Sequence, residues 1–170
     1  MQNPLRNVYL VGFMGTGKSA VGKRLAKMMN FQFIDSDDYI ERKENKSIER
    51  IFSENGEAYF RSLEKIFVTS EHPKEGCVVS CGGGLVTQEG IIEVLKRKGT
   101  VVALVASAAV IYQRVKDHTH RPLLKEGNAL ETIKKLLAER HAHYAKIPNQ
   151  VMTDSRSLTD IVGQIIRLIK

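Results

Sequence analysis

The segment Gly12-Phe13-Met14-Gly15-Thr16-Gly17-Lys18-Ser19 matches G-x-x-x-x-G-K-[ST] at every fixed position. Each part has a physical task in holding a nucleoside triphosphate. The glycines let backbone N–H groups turn inward around phosphate oxygens. A helix opening at Lys18 adds the positive end of its dipole. Lys18 neutralises charge on the β- and γ-phosphates, and Ser19 offers a hydroxyl to magnesium. The second half of the segment, Gly15-x-Gly17-x-x-Ala20, also satisfies the dinucleotide fingerprint G-x-G-x-x-G/A, with acidic residues about 20 positions on. That fingerprint uses neither Lys18 nor Ser19 and leaves Gly12 without a role. Titration with ATP–magnesium and with NAD(P) separates the two readings. A GTPase would require N-K-x-D, but Asn45-Lys46-Ser47-Ile48 carries Ile in place of Asp and falls too early in the chain.

Other residues have the chemistry of an acceptor site. Asp35 and Asp37 flank Ser36; in extended chain, positions i and i+2 point the same way, so both face one site while Asp38 faces away. One carboxylate then holds a cation and the other accepts a hydroxyl proton. The competing reading is a helix N-cap, for which Asp is equally suited. Arg61, Arg121 and Arg140 offer the two-pronged guanidinium fork that grips carboxylates and phosphates, and Glu64 lies one turn beyond Arg61, where it can orient that fork. Any one of these arginines, taken singly, reads as a surface ion pair. Gly82-Gly83-Gly84 implies close approach of the backbone to another group.

The elements that must position these residues follow from periodicity. Val8–Val11, Phe31–Ile34, Cys77–Ser80, Thr100–Val105 and Gln150–Met152 read as short buried strands. Helices are expected over Lys18–Met29, with Val21, Leu25 and Met28 on the buried face, and over most of Asp37–Ser70 with a break at Asn55-Gly56. Further helices are expected over Gln88–Lys98, Ser107–Val115 and Ala129–Tyr144, and after a capping box at Ser157–Asp160. Lys116–Asn128 is polar and reads as a loop. Alternating strands and helices imply a parallel sheet covered on both faces, with ligands at the carboxyl ends of its strands. Those ends carry Gly12–Ser19, Asp35–Asp38, Gly82–Gly84 and the loop with Arg121, so four separate segments are expected to converge on one rim.

The chain has 170 residues, of which 42% are hydrophobic and 26% charged, and a net charge of +7. That length suits one domain with a sizeable core. The basic balance favours anionic partners. The basic residues are dispersed without a nucleic-acid motif, so small anionic molecules are expected rather than nucleic acid. No apolar run is long enough to span a bilayer. The first residues lead into a strand, and two cysteines, Cys77 and Cys81, are too few for a disulfide framework. A cytoplasmic, reduced protein is expected. His118, His120, His141 and His143 lack metal-ligand spacing.

The ordered set of motifs resembles the shikimate kinase family. It comprises Gly12–Ser19, Asp35-Ser-Asp37 followed by Tyr39-Ile-Glu41, Gly56-Glu57, Phe60-Arg61-Ser-Leu-Glu64, Gly82–Gly84, Arg121-Pro122-Leu123, and Glu139-Arg140 with Tyr144. The similarity runs from the phosphate loop to the final helix. The resemblance implies a three-layer α/β/α P-loop fold with a five-stranded parallel sheet in the order 2-3-1-4-5. It implies one domain over 1–170, with an acceptor-binding helical region over about 35–63 and a mobile lid over about 114–127. The implied reaction passes the terminal phosphoryl group of ATP to the 3-hydroxyl of shikimate, with one magnesium ion per subunit, in a monomer.

By the same resemblance Asp37, Arg61, Gly82, Gly83, Gly84 and Arg140 bind shikimate, and Asp37 activates the hydroxyl. Ser19 and Asp35 hold magnesium, and Lys18 and Arg121 stabilise the transferring phosphate. Gly12, Met14, Gly15, Thr16, Gly17, Lys18, Ser19, Ala20, Arg114, Arg121 and Arg156 match the ATP site. One departure stands out: Ala20 occupies a position that is usually Thr in the family. The missing hydroxyl is expected to weaken nucleotide binding. The stretch Lys116–His120 also departs from the usual lid sequence.

Overall fold

The computed structural model describes residues 6–118 and 127–170. Five parallel strands, β1 (Asn7–Val11), β2 (Gln32–Asp35), β3 (Cys77–Ser80), β4 (Gly99–Val105) and β5 (Gln150–Met152), pair in the order β2-β3-β1-β4-β5. β1 lies at the centre, and all five of its residues are buried. Strand alternation divides its side chains between two cores. Tyr9 and Val11 meet Phe67, Val68, Leu85 and Leu95 on one face, while Val8 and Leu10 meet Val21, Leu25, Val162 and Ile165 on the other.

The helices are α1 (Lys18–Met29), α2 (Ser36–Glu44), α3 (Ile48–Asn55), α4 (Glu57–Ser70), α5 (Ile91–Lys98), α6 (Ala108–Val115), α7 (Ala129–Tyr144) and α8 (Leu158–Ile169). The fold class is the one the resemblance implied. Several local expectations are corrected. The region after Asp37 holds two breaks rather than one: Asn45 turns left-handed at φ 52°, and Ser47 caps α3 by accepting from Arg50 N at 3.2 Å. The buried stripe of α1 runs through Val21, Gly22, Leu25 and Ala26, so Met28 is 54% exposed. α5 begins at Ile91, three residues later than expected, because Leu85–Thr87 forms a single 3-10 turn and Gly90 is left-handed. The capping of α8 is as expected, with Asp160 N donating to Ser157 Oγ at 3.1 Å.

Helices α2, α3 and α4 enclose a small core of their own, Ile40, Ile51, Phe60 and Leu63. A further cluster, Phe13, Ala106, Ile111, Val115 and Ile133, lies between the phosphate loop, α6 and α7. No helix among the described residues is long and apolar enough to cross a membrane. The expected lid falls mostly on residues 119–126, outside the described residues, and Arg121 with it.

The amino-terminal end of the sheet is closed by buried polar groups. Asn7 donates to Pro73 O at 2.8 Å and accepts from Cys77 N at 2.9 Å. His72 Nε2 lies 3.3 Å from Tyr9 Oη, and its Nδ1 lies 2.8 Å from Pro73 O. This pattern suits a neutral ring that donates from Nδ1 and accepts at Nε2. Burial lowers the His72 pKa below the ordinary 6.5. The folded state therefore binds fewer protons than the unfolded chain. The stabilisation is full above the unfolded pKa and is lost as pH falls through the lowered folded pKa. Thermal midpoints measured between about pH 7 and 5 should fall with pH, and His72→Gln should flatten that slope.

Candidate active site

The sequence turns from strand to helix at Gly15 and Gly17, which adopt φ 76° and 97°. A side chain at Gly15 would also meet Val115 Cγ1 at 2.7 Å. Lys18 folds over the loop and donates to Gly12 O at 2.8 Å and Phe13 O at 3.0 Å. Thr16 turns inward instead, 1% exposed, and donates to Phe13 O at 2.8 Å. Ser19 Oγ donates to Asp35 Oδ2 at 2.9 Å, which ties the start of α1 to the end of β2.

Asp35 serves as the helix cap weighed for it and also meets the phosphate loop. Its Oδ1 caps α2 by accepting from Asp37 N at 3.0 Å, while Oδ2 meets Ser19. The extended geometry expected for Asp35–Asp37 is corrected: Ser36 already begins α2, so Asp37 reaches the site from a first helical turn. Asp38, expected to face away, also lines the cavity. Ser36 is buried and accepts from Gly82 N at 2.9 Å, which draws α2 against the end of β3.

On the acceptor side, Arg61 lies between two acids of its own helix. Its Nη1 donates to Glu64 Oε2 at 2.7 Å, and its Nε and Nη2 reach Glu57 Oε1 at 3.2 and 3.1 Å. Glu64 was expected as its orienting partner; Glu57 joins it through the i, i+4 spacing. Gly84 makes this arrangement fit, because a Cβ there would lie 2.4 Å from Arg61 Nη2. Gly82 has the same meaning for the acids: its Cβ would lie 2.7 Å from Glu64 Oε1 and 2.8 Å from Asp37 Oδ1. Those two oxygens are buried and have no hydrogen-bond partner among the described residues. Burial, with Asp35 adding to it, pushes the Asp37 carboxyl up to about 6. Burial raises Glu64 to about 7 against the pull of Arg61. Two acids with raised pKa values at the end of a parallel strand mark a functional site.

Arg140 projects from α7. It donates to Gly83 O at 3.1 Å and stacks over the Phe13 ring at 5.2 Å, so the acceptor side touches the phosphate loop directly. Tyr144 Oη donates to the same carbonyl at 3.0 Å. These groups converge on one cavity of about 710 Å³. Met14, Gly15, Gly17, Lys18, Ser19 and Ala20 line one end, and Asp35, Asp37, Arg61, Gly82, Gly83, Gly84 and Arg140 line the rest. Phe60, from the family motif, adds an apolar wall together with Ile48 and Phe52, which motif reasoning missed.

Among the described residues, four expected site residues do not line the cavity. Gly12 and Thr16 shape the loop from behind. Arg114 braces the loop against the turn after β5, donating to Gly15 O at 3.0 Å and Thr153 Oγ1 at 3.1 Å. Arg156 folds onto α8, where it meets Gln164 Oε1 and Asp160 O.

No set of three or more acidic, His or Cys side chains suited to a metal occurs among the described residues. Magnesium takes few protein oxygens and completes its shell with water and substrate phosphates. The hydroxyl–carboxylate contact beside the phosphate loop is a donor set of this kind.

A family model described as shikimate kinase matches residues 14–170. The chain is 43% identical over 166 residues to a shikimate kinase of Pelotomaculum thermopropionicum, covering 98% of this chain and 96% of that one. It is 41% identical to one of Persephonella marina, covering 98% and 100%. Its fold superposes with a TM-score of 0.91 on a shikimate kinase from Acinetobacter baumannii solved in complex with shikimate, at 36% identity and over 97% and 93% of the two chains. Phosphate loop, fold, match length and identity agree, and the chain belongs to the shikimate kinase family.

Proposed function

We propose that the chain transfers the γ-phosphoryl group of ATP to the 3-hydroxyl of shikimate. The observation that carries this reading is the continuity of the cavity, which joins Lys18 and Ser19 at one end to Asp37, Arg61 and Arg140 at the other. Phosphoryl transfer needs alignment and charge stabilisation more than covalent help. The phosphate loop supplies inward amides and Lys18 for the phosphates. Arg61 and Arg140 suit the carboxylate of the acceptor, each already oriented by neighbours. Asp37 faces the hydroxyl that attacks. The hydroxyl oxygen bonds to the γ-phosphorus, the bond to the β,γ-bridging oxygen breaks, and the proton passes to Asp37. A carboxyl raised to about 6 is ionised at neutral pH yet basic enough for this transfer.

Ser19 and Asp35 would hold magnesium. When bound, the ion neutralises charge on the β- and γ-phosphates. The resemblance gives Arg121 a part beside Lys18; its placement lies outside the described residues.

A coupled ADP-release assay with magnesium-ATP and shikimate tests the reading. Shikimate-dependent release is expected, and its absence, or preferential turnover of gluconate in a panel of sugar acids, would reject it. Ala20 lines the nucleotide end of the cavity in the first turn of α1. Ala20→Thr is expected to tighten ATP binding by about 1 kcal/mol, roughly fivefold, read by calorimetric titration.

A further inference from the structure

Glu64 is 1% exposed, and its two oxygens have different neighbours. Oε2 accepts from Arg61 Nη1 at 2.7 Å and from Gln88 Nε2 at 2.9 Å. Oε1 has no partner among the described residues and lies against Gly82, on the side of Asp37. Gln88 is not among the residues that line the cavity. It follows the 3-10 turn Leu85–Thr87 in extended conformation and is only partly exposed. The short segment from Gly82 to Gln88 therefore holds Glu64 at both ends: Gly82 leaves room for Oε1, and Gln88 donates to Oε2.

We propose that Gln88 is a positioning residue for the acceptor, which fixes the Glu64 carboxylate and through it the guanidinium of Arg61. This rests on the acceptor-site reading above. One donor on a carboxylate oxygen leaves its plane free to turn about the last side-chain torsion. A second donor on the same oxygen, from a different chain segment, removes that freedom. The unpartnered Oε1 is then aimed at the site, and Arg61 keeps a fixed partner at Nη1.

The charged and titratable groups around Glu64 are Arg61 on its own helix, Asp37 from α2 and the Cys81 thiol at the end of β3. Gln88 provides the neutral donor. Burial raises the Glu64 carboxyl to about 7, while Arg61 and Gln88 both favour its ionised form. Loss of the Gln88 amide leaves a buried charged oxygen with one donor fewer. It moves Glu64 towards the neutral form, which holds Arg61 less firmly.

The test compares Gln88→Leu, which keeps the bulk and removes the donor, with Gln88→Lys, which restores one. Steady-state kinetics with shikimate and magnesium-ATP give the first readout. The KM for shikimate is expected to rise about tenfold in Gln88→Leu and to recover in Gln88→Lys, with kcat and the KM for ATP within about twofold of wild type. A carbon-13 NMR titration of labelled glutamate, assigned with Glu64→Gln, gives the second. The Glu64 midpoint should move up from about 7 in Gln88→Leu. An unchanged shikimate KM, equal rises in both KM values, or an unmoved Glu64 midpoint would overturn the proposal. If wild-type protein fails to turn over shikimate, the functional reading falls, and the Glu64 titration still decides the role of Gln88.

Discussion

Asp37→Asn lowers kcat for shikimate phosphorylation by about 10²–10⁴-fold, the range general bases contribute, while ATP affinity stays within about twofold. The substitution keeps the shape of the side chain and removes its capacity to take a proton. The site is built to make that loss felt. Asp37 Oδ1 is buried and lacks a hydrogen-bond partner among the described residues, so no described donor already occupies it. Its backbone N–H, not its side chain, makes the contact to Asp35, so the cap of α2 and the Ser19–Asp35 link survive. Single-turnover phosphoryl transfer, together with a separate measurement of ATP binding, checks the split. A near wild-type kcat would remove Asp37 from the chemistry.

Gly84→Ala raises the KM for shikimate by about 10–100-fold with little change in thermal midpoint. The added Cβ would stand 2.4 Å from Arg61 Nη2 and 2.7 Å from Nη1. The group it strikes is the end of a flexible side chain, so the backbone is spared and the guanidinium moves. Arg61 then leaves the plane set by Glu57 and Glu64. Gly83→Ala, at the neighbouring residue of the same cavity, is the comparison, because it adds bulk beside Arg140 rather than Arg61. A Cβ at Gly83 meets nothing nearer than 3.5 Å, the Met14 amide, so Arg61 keeps its place. The two variants together separate displacement of Arg61 from mere crowding of the loop. Equal shikimate KM values for both would defeat the argument.

Sequence carried most of the fold and part of the site. The strands were legible because they are short apolar runs between helical stretches, and the phosphate loop because its glycines and Lys18–Ser19 sit at fixed spacing. Arg61 with Glu64 was legible because i, i+3 residues share a helix face. Asp35 and Asp37 both line the cavity, but not for the reason the sequence suggested. The extended spacing was assumed, whereas the helix begins at Ser36 and Asp35 serves as cap and site residue together. Asn45 and Ser47 were signals of a second break that the long helical pattern concealed. Gln88 and Glu64 meet across 24 positions, and Arg140 and Gly83 across 57. Local periodicity has no access to pairs so far apart. Arg140 was singled out for its guanidinium and given its role by the family pattern, and Gln88 came only from the fold.

The two ends of the cavity hang from elements of unequal resistance to local opening. The phosphate loop grows directly out of β1, the central strand, paired on both sides and buried along its whole length. The acceptor wall is lined partly by α3, which packs only on the small cluster Ile40, Ile51, Phe60 and Leu63, whereas α4 also enters the main core through Phe67 and Val68. Amide exchange should therefore be slowest in β1 and much faster in α3, since small clusters open at a fraction of the global unfolding free energy. The protein can loosen its acceptor wall while the nucleotide loop stays anchored, so the acceptor side is where tolerance to insertions and changes of specificity would first be found.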